Sequence, residues 1–184
     1  MDLPPPPPQL PPREGGLPYP PTPPLEKSDL PPKGPGSPGI ILPRIAARII
    51  DFLITTIPFG ILAQPYVKTT GKTQSFDGPA WLVVASLITP LVYEILMTAW
   101  HGQTIGKMAL RLQVVRYRDG GHVNLQASAI RAIVPVVPTL VAYAVPPLRF
   151  IGLGTYLIYL TAVIDPIYRG WGDKAAATIV LRTK

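Results

Sequence analysis

Cysteine is absent from this 184-residue sequence, and histidine occurs only twice. The lack of thiols excludes a disulfide framework and thiolate metal or redox sites, and two widely separated histidines do not form a zinc site. We therefore expect neither a metal nor another cofactor. Charged residues are also scarce, at 15% against the roughly 25% of soluble domains, while hydrophobic residues reach 47%. This deficit of charge predicts that the chain lies in a lipid bilayer.

The sequence offers no catalytic constellation. Its two histidines, His101 and His122, fall in one polar link. The run from Gly102 to Lys107 is one residue short of a phosphate-binding loop, and Met108 stands where such a loop needs Ser or Thr. The net charge of +7 comes from basic residues between apolar runs, which is not the pattern of nucleic-acid binding. We expect neither an enzyme nor a nucleic-acid-binding protein.

Proline is concentrated at the N-terminus, where residues 1–39 hold 16 of the 26 prolines. Such a segment forms neither a helix nor a strand ladder and favours extended polyproline II or disorder. We predict a disordered proline-rich cytoplasmic tail over residues 1–39 and a single domain over residues 40–184. The tail is either a solvated tether or a ligand for a cytoplasmic partner that recognises PxxP-type motifs.

Four apolar segments follow the tail. About 20 apolar residues, at about 1.5 Å each, cross a hydrocarbon core of about 30 Å. The predicted fold class is therefore an all-α membrane protein, a four-transmembrane-helix bundle with a cytoplasmic interfacial loop. Prolines interrupt the first three segments and can kink a helix or free carbonyl groups. The predicted spans are residues 45–64, 80–100, 128–145 and 148–168.

The distribution of basic residues predicts the orientation. Cytoplasmic loops collect Lys and Arg, and short loops count most. With both termini in the cytoplasm, the inner segments hold nine basic residues and the outer segments three. We therefore expect a multi-pass protein of the plasma membrane with both termini cytoplasmic. The inner residues are Arg44, Lys107, Arg111, Arg116, Arg118, Arg169, Lys174, Arg182 and Lys184, and the outer ones are Lys68, Lys72 and Arg149.

The long inner link alternates apolar and basic positions before it reaches Asp119, Gly120 and Gly121. This pattern is typical of an amphipathic interfacial segment followed by a tight hairpin turn. The C-terminal stretch GDKAAATIVLRTK is β-branched in its middle. It could pair with residues 112–117 beneath the membrane.

Three motifs together resemble the RDD family of membrane proteins. They are RIAARIID at 44–51, GQTIGK at 102–107 followed by LRLQVV at 110–115, and DKAAATIV at 173–180. The resemblance covers residues 42–182, in the order of the family. It implies a small helical membrane domain, for which transport of an unidentified ligand has been suggested.

The resemblance also implies site residues. The family is named for an Arg and an Asp in the first helix, which match Arg48, or else Arg44, and Asp51. Its further Asp matches Asp173 or Asp165. The sequence departs from the family where Gly172 and Ala177 replace a frequent His and Gly. The loop motif corresponds to Gly102, Gln103, Thr104, Gly106 and Lys107.

Five ionisable residues fall at one depth within the predicted spans, near their cytoplasmic ends. Each costs about 2.5–3.5 kcal/mol at the bilayer centre, so each needs a partner or a wet cavity. The layer is either a cation or proton site, with Asp51 and Glu94 as titrating ligands, or an ion-pair clamp. The outer two thirds of the spans offer only hydroxyl groups, which favours the clamp. The five residues are Arg48, Asp51, Glu94, Arg131 and Asp165.

Two functions follow as hypotheses. The first is transport or permeation of an ion or small ligand, by an oligomer because four short helices enclose little volume. The second is a non-catalytic membrane scaffold or accessory subunit, whose proline-rich tail recruits cytoplasmic partners. In both, the lipid bilayer is the surrounding partner.

Overall fold

The computed structural model describes residues 17–70, 73–138, 141 and 161–184. Two long helices dominate it, α1 over Ile41–Ala63 and α2 over Ala80–His101. Both consist of apolar runs with mean hydropathies of 1.8 and 1.9. At about 1.5 Å per residue, each is long enough to cross a hydrocarbon core of about 30 Å. They match the first two predicted spans, and most of their large apolar side chains are exposed.

A short hairpin joins the two helices at one end. Its strands, β1 over Val67–Thr70 and β2 over Thr73–Phe76, pair antiparallel. At the other end lie the link after α2, the C-terminal segment and the residues before α1. We call these the hairpin end and the sheet end of the helices.

The third predicted span begins earlier than expected. Helix α4 covers Leu125–Ile133. It starts at Leu125 because the side chain of Asn124 accepts a hydrogen bond from the amide of Ala127 at 2.8 Å and so caps the helix. A turn follows at residues 134–136, where Pro135 has no amide hydrogen to donate. Most of the predicted fourth span lies outside the described residues. Its described part is helical at residues 161–164.

The sheet end contains β structure as well as helices, so the expectation of an all-α fold is only partly right. Helix α3, Ile105–Ala109, precedes strand β3, Leu112–Arg116. Helix α5, Trp171–Ala175, precedes strand β4, Thr178–Arg182. The strands pair antiparallel, which confirms the predicted pairing of the inner link with the C-terminal stretch. Their side chains form most of the two buried clusters: Ala47, Leu112, Val114, Val123 and Val180, and Leu30, Val115, Ile167, Ile179 and Leu181.

The predicted disorder of the tail is not what the structure shows over residues 17–39, which we call the N-terminal strap. The amide of Gly39 donates to the carbonyl of Val180 at 2.9 Å, and Arg182 donates to Ser37 at 2.9 Å. The strap thus covers the outer edge of β4, whose backbone groups need partners. Leu30 is 3% exposed in the core. Composition alone predicted disorder because it ignores this edge. Residues 1–16 of the predicted tail lie outside the described residues.

Two units at the sheet end have the same backbone structure. Helix α3 passes into β3 through Arg111 at φ 57°, and helix α5 passes into β4 through Ala177 at φ 49°. Each residue of the first unit matches the residue 66 positions later, the difference between Gly106 and Gly172. In both units the glycine carbonyl accepts from the amide four residues on, at 3.2 and 3.1 Å. The two units form an internal repeat.

The strand register obeys the same offset. Val114 matches Val180 and also faces it across the sheet, so a local two-fold axis passes through this pair. Beyond the strands, Tyr117 donates to Ala177 at 2.8 Å and its counterpart Thr183 donates to Arg111 at 2.9 Å.

The helices packed on the two units also correspond. A side chain at Gly106 would meet Ala47 and Asp51 of α1, and one at Gly172 would meet Arg131 of α4 and Pro135 of the turn that follows it. Because both sets are spaced by four residues, α1 and α4 occupy equivalent places in the repeat.

Candidate functional site

Helix α1 presents its charged residues to the other elements at the sheet end. Arg44, Arg48 and Asp51 recur every three to four residues and therefore lie along one side of the helix. Arg48 makes a two-point contact with Glu94 of α2, with Nη1–Oε2 2.5 Å and Nη2–Oε1 2.6 Å. This pair joins the two long helices.

Glu94 is shared among three cations. Arg131 of α4 places Nη1 3.5 Å from Oε1, and Lys107 of α3 places Nζ 3.7 Å from the same oxygen. One buried carboxylate therefore holds groups from α1, α3 and α4, and these partners offset the cost of burying its charge.

Asp173 of α5 extends the network on its other side. Arg131 donates from Nε to Oδ1 at 2.6 Å, and Arg44 donates from Nη1 to Oδ2 at 3.2 Å. Burial alone would raise the pKa of Asp173, but Arg131 and Arg44 hold it below its ordinary value. The pairs among Arg44, Arg48, Glu94, Lys107, Arg131 and Asp173, which we call the ionic network, connect all five labelled helices.

Asp51 has a different role from the other carboxylates. It accepts from the hydroxyl of Thr104 at 2.6 Å, the amide of Gly106 at 2.8 Å and the hydroxyl of Tyr93 at 2.9 Å. Tyr93 in turn accepts from the amide of Ile105 at 2.8 Å. Asp51 therefore attaches the start of α3 to α1 through neutral donors.

The GQTIGK motif is explained by this attachment. Gly102 ends α2 at a φ of 68°, a conformation that favours glycine, and Thr104 caps α3. Gly106 has no room for a side chain, because a Cβ there would overlap the carbonyl oxygen of Ala47. Gln103 belongs to the same turn, and Lys107 points into the ionic network.

Asp165, the fifth residue of the predicted layer, stands apart from the pairs described. It accepts from the amides of Ile167 at 3.1 Å and Arg169 at 2.9 Å, and it pairs with Lys174 at 2.6 Å. It stabilises the turn after the helical residues 161–164. Of the two candidates for the last Asp of the family, the structure therefore brings Asp173, not Asp165, to the arginines.

Lys107, which the sequence assigned only to the loop motif, belongs to the ionic network although sequence reasoning did not place it in the charged layer. Its side chain is 4% exposed, and within the described part of the chain its ammonium makes no hydrogen bond. Burial and the positive charge of Arg131 lower the pKa of Lys107 to about 7, and Glu94 offsets only part of this. In the repeat, Lys107 matches Asp173.

The described residues beyond this layer provide no second charged site within the helices. Toward the hairpin end, an open hollow of about 240 Å³ lies between α1 and α2 and is lined by apolar side chains with Thr56 and Ser86. No group of three His, Cys, Asp or Glu residues converges to hold a metal ion in the described ranges.

Comparison with known proteins identifies the family. The RDD family model matches residues 38–177 of the chain. The protein belongs to the RDD family. No curated protein and no solved structure matches it significantly. The match to the RDD family contains the whole ionic network but ends just before β4, and it leaves out most of the strap.

Proposed function

We propose that this RDD protein is a multi-pass protein of the plasma membrane that transports or conducts an ion or small solute without catalysing a reaction. Its ionic network would be the binding site, close to the cytoplasmic surface. The observation that carries the proposal is the buried ammonium of Lys107, which lacks a hydrogen bond within the described residues. In a purely structural ion-pair clamp, the cost of burying a charge is repaid only when the pairing geometry is good and hydrogen bonds satisfy the remaining protons.

The charge distribution supports a cytoplasmic position for the sheet end. The nine basic residues of the expected inner segments belong to α1 near its start, the link after α2 and the C-terminal segment, which meet at this end. At the hairpin end, Lys68 is paired with Asp77 at 2.5 Å. Basic segments are retained in the cytoplasm during insertion, so this asymmetry supports cytoplasmic termini.

Prolines inside the long helices also fit a transport role. Pro58 lies inside α1 and Pro90 inside α2, between the ionic network and the hairpin end. Each removes a backbone hydrogen bond and leaves a carbonyl group able to face a passing solute. An oligomer would supply additional walls for such a path.

The proposal is tested by reconstituting the protein into liposomes and screening efflux of inorganic ions and small metabolites. We expect flux from the wild type, at least a tenfold loss in Lys107→Met, and unchanged flux in the control Lys174→Met, whose side chain is half exposed. No flux of any solute from well-folded wild-type protein would contradict transport.

Truncation of the proline-rich tail distinguishes a scaffold from a transporter. A scaffold that recruits partners through the proline-rich segment would lose its cellular effect when residues 1–16 are removed, while a transporter would keep its flux. Residues 17–39 are less suited to recruitment, because the strap already contacts β4 and Tyr117.

A further inference from the structure

The charges of the buried cluster do not balance. Four cations, Arg44, Arg48, Lys107 and Arg131, surround Glu94 and Asp173. Asp51 adds a third carboxylate, although its hydrogen bonds come from neutral donors. With Lys107 protonated, the described part of the cluster therefore carries one excess positive charge. Arg48 is partly exposed, but the other three cations are buried, and an excess of charge among buried groups favours either loss of a proton or a bound anion.

Two further buried groups lack partners near the same place. The hydroxyls of Thr98 and Ser128 are buried and make no hydrogen bond within the described residues. Thr98 lies one turn after Glu94 on α2, and Ser128 lies one turn before Arg131 on α4. Since residues three or four apart share a helix face, both hydroxyls lie on the faces of α2 and α4 that meet at the contact between Glu94 and Arg131.

Lys107 approaches the contact between Glu94 and Arg131 from α3. Helix α3 follows α2 at the sheet end, and the Lys107 ammonium extends from it as far as Glu94. Thr98 lies between Glu94 and the end of α2, from which the chain continues to α3. An ammonium and two hydroxyl groups are the hydrogen-bond donors that hold a small anion.

The repeat shows that the fold can satisfy this position completely. Asp173, the counterpart of Lys107, receives charged hydrogen bonds from Arg131 and Arg44. The position in the first unit carries the opposite charge and lacks such bonds within the described residues. The two units are alike in backbone, and their equivalent residues Lys107 and Asp173 carry opposite charges.

We propose that a small monovalent anion, of the size of chloride or nitrate, binds at the Lys107 ammonium between the hydroxyls of Thr98 and Ser128. The inference rests on the proposed function, since it names the solute class of that site. A cation is disfavoured there because Arg48 and Arg131 lie beside the position, while Asp51 and Glu94 are already held by other donors.

Anion and proton binding are coupled at such a site. The anion requires the ammonium form of Lys107, whose pKa is lowered to about 7 without an anion by burial and by Arg131. Binding of the anion favours the protonated form of Lys107. The bound anion and the added proton together bring no net charge to the site. Above pH 7 we expect the apparent affinity for chloride to fall about tenfold per pH unit.

The experiment measures thermal stabilisation and calorimetric binding with the purified full-length protein in mild detergent. Sodium chloride and sodium nitrate are titrated against sodium gluconate at constant ionic strength, at pH 6 and pH 8.5. We expect saturable stabilisation of the wild type at pH 6, at least tenfold weaker binding at pH 8.5, and none in Lys107→Met. Lys174→Met is the matched control and should bind like the wild type.

Two milder variants keep the proposal testable if Lys107→Met does not fold. Thr98→Val and Ser128→Ala remove one hydroxyl each, and each should weaken chloride binding about tenfold while the protein stays monodisperse. Equal stabilisation by gluconate, or wild-type chloride affinity in these two variants, would overturn the site. Chloride binding without flux in liposomes would refute transport but keep the site, whereas flux that is independent of Lys107 would refute the site alone.

Discussion

Arg48 and Glu94 connect α1 to α2 through two parallel hydrogen bonds of 2.5 and 2.6 Å. Glu94 also compensates Lys107 and Arg131, while Arg48 is partly exposed. We therefore expect Glu94→Gln to destabilise the protein by about 3–5 kcal/mol, the usual cost of breaking a buried pair, and Arg48→Gln to cost less. Thermal unfolding in mild detergent measures both.

The double variant is the decisive comparison for this pair. If the two residues stabilise each other, Arg48→Gln with Glu94→Gln should lose less stability than the sum of the single losses. Lys68→Gln breaks an exposed ion pair at the hairpin end and serves as the control, with a change below about 1 kcal/mol. Strict additivity would argue against direct coupling.

Substitutions at three glycines compare positions that are closely packed with a position that faces open space. Gly106→Ala would place a Cβ against the carbonyl of Ala47, so we expect a loss of about 3 kcal/mol or failure to fold. At the equivalent position of the repeat, Gly172→Ala meets the Arg131 carbonyl only at 3.1 Å and should cost about 1 kcal/mol. Gly60→Ala faces open space within α1 and should be neutral or stabilising by up to about 1 kcal/mol. An equal loss in all three would contradict the packing of α3 on α1.

The titration of Lys107 predicts how the stability of the protein depends on pH in the absence of small anions. Its pKa is lowered to about 7 in the folded protein from 10.5, by burial and by Arg131. Between these values the unfolded chain binds more protons, so the free energy of unfolding should rise as the pH increases from 7 toward 10. The rise should be on the order of a few kcal/mol, at about 1.4 kcal/mol per pKa unit.

The comparison with Lys107→Met isolates this effect. In gluconate buffer, the thermal midpoint of the wild type should increase between pH 7 and pH 9.5, and that of the variant should increase less. Parallel curves for the two proteins would mean that another group causes the dependence.

Substitutions of Leu30 and Leu25 test whether the N-terminal strap packs against the sheet. Leu30 is 3% exposed and Leu25 is 74% exposed, although both lie in the same proline-rich segment. Leu30→Ala should destabilise the protein by about 2–4 kcal/mol, because it leaves a cavity beside the sheet, whereas Leu25→Ala should change stability by less than about 0.5 kcal/mol. Hydrogen exchange of β4 amides provides a second measurement, since loosening the strap exposes that edge. Identical behaviour of the two variants would mean that the strap is detached in solution.

Orientation in the membrane can be read with single cysteines, because the protein has none of its own. We expect Lys68→Cys at the hairpin end to react with an impermeant maleimide in intact cells. Arg118→Cys at the sheet end should react only after the cells are permeabilised. Labelling of Arg118→Cys from outside would reverse the proposed orientation.

Counting along the apolar runs predicted that Arg48, Glu94 and Arg131 lie at one depth, and the structure brings these three together. The method works because a helix has a fixed rise per residue. It could not place Lys107 or Asp173, which lie outside the spans and enter the network only when α3 and α5 fold back onto the helices. Spacing on α1 also could not reveal that Asp51 binds the start of α3, since Thr104 and Gly106 are more than fifty positions away in the sequence.

The strap was missed for a different reason. Proline-rich composition is a statement about what a segment can form by itself, and residues 17–39 form little regular structure beyond one short turn. Their order comes from the edge of β4 and from the Tyr19 hydroxyl that donates to the Tyr117 carbonyl. Such contacts depend on where β4 lies, which the local sequence of the strap does not contain.

The two-fold register of β3 and β4 makes the interface between the two halves self-complementary, like that of a symmetric dimer. Each half ends in a strand that pairs with the strand of the other half, so this pairing holds the halves together without help from the covalent connection. A polypeptide cut between Gly120 and Gly121 should therefore reassemble from two co-expressed pieces.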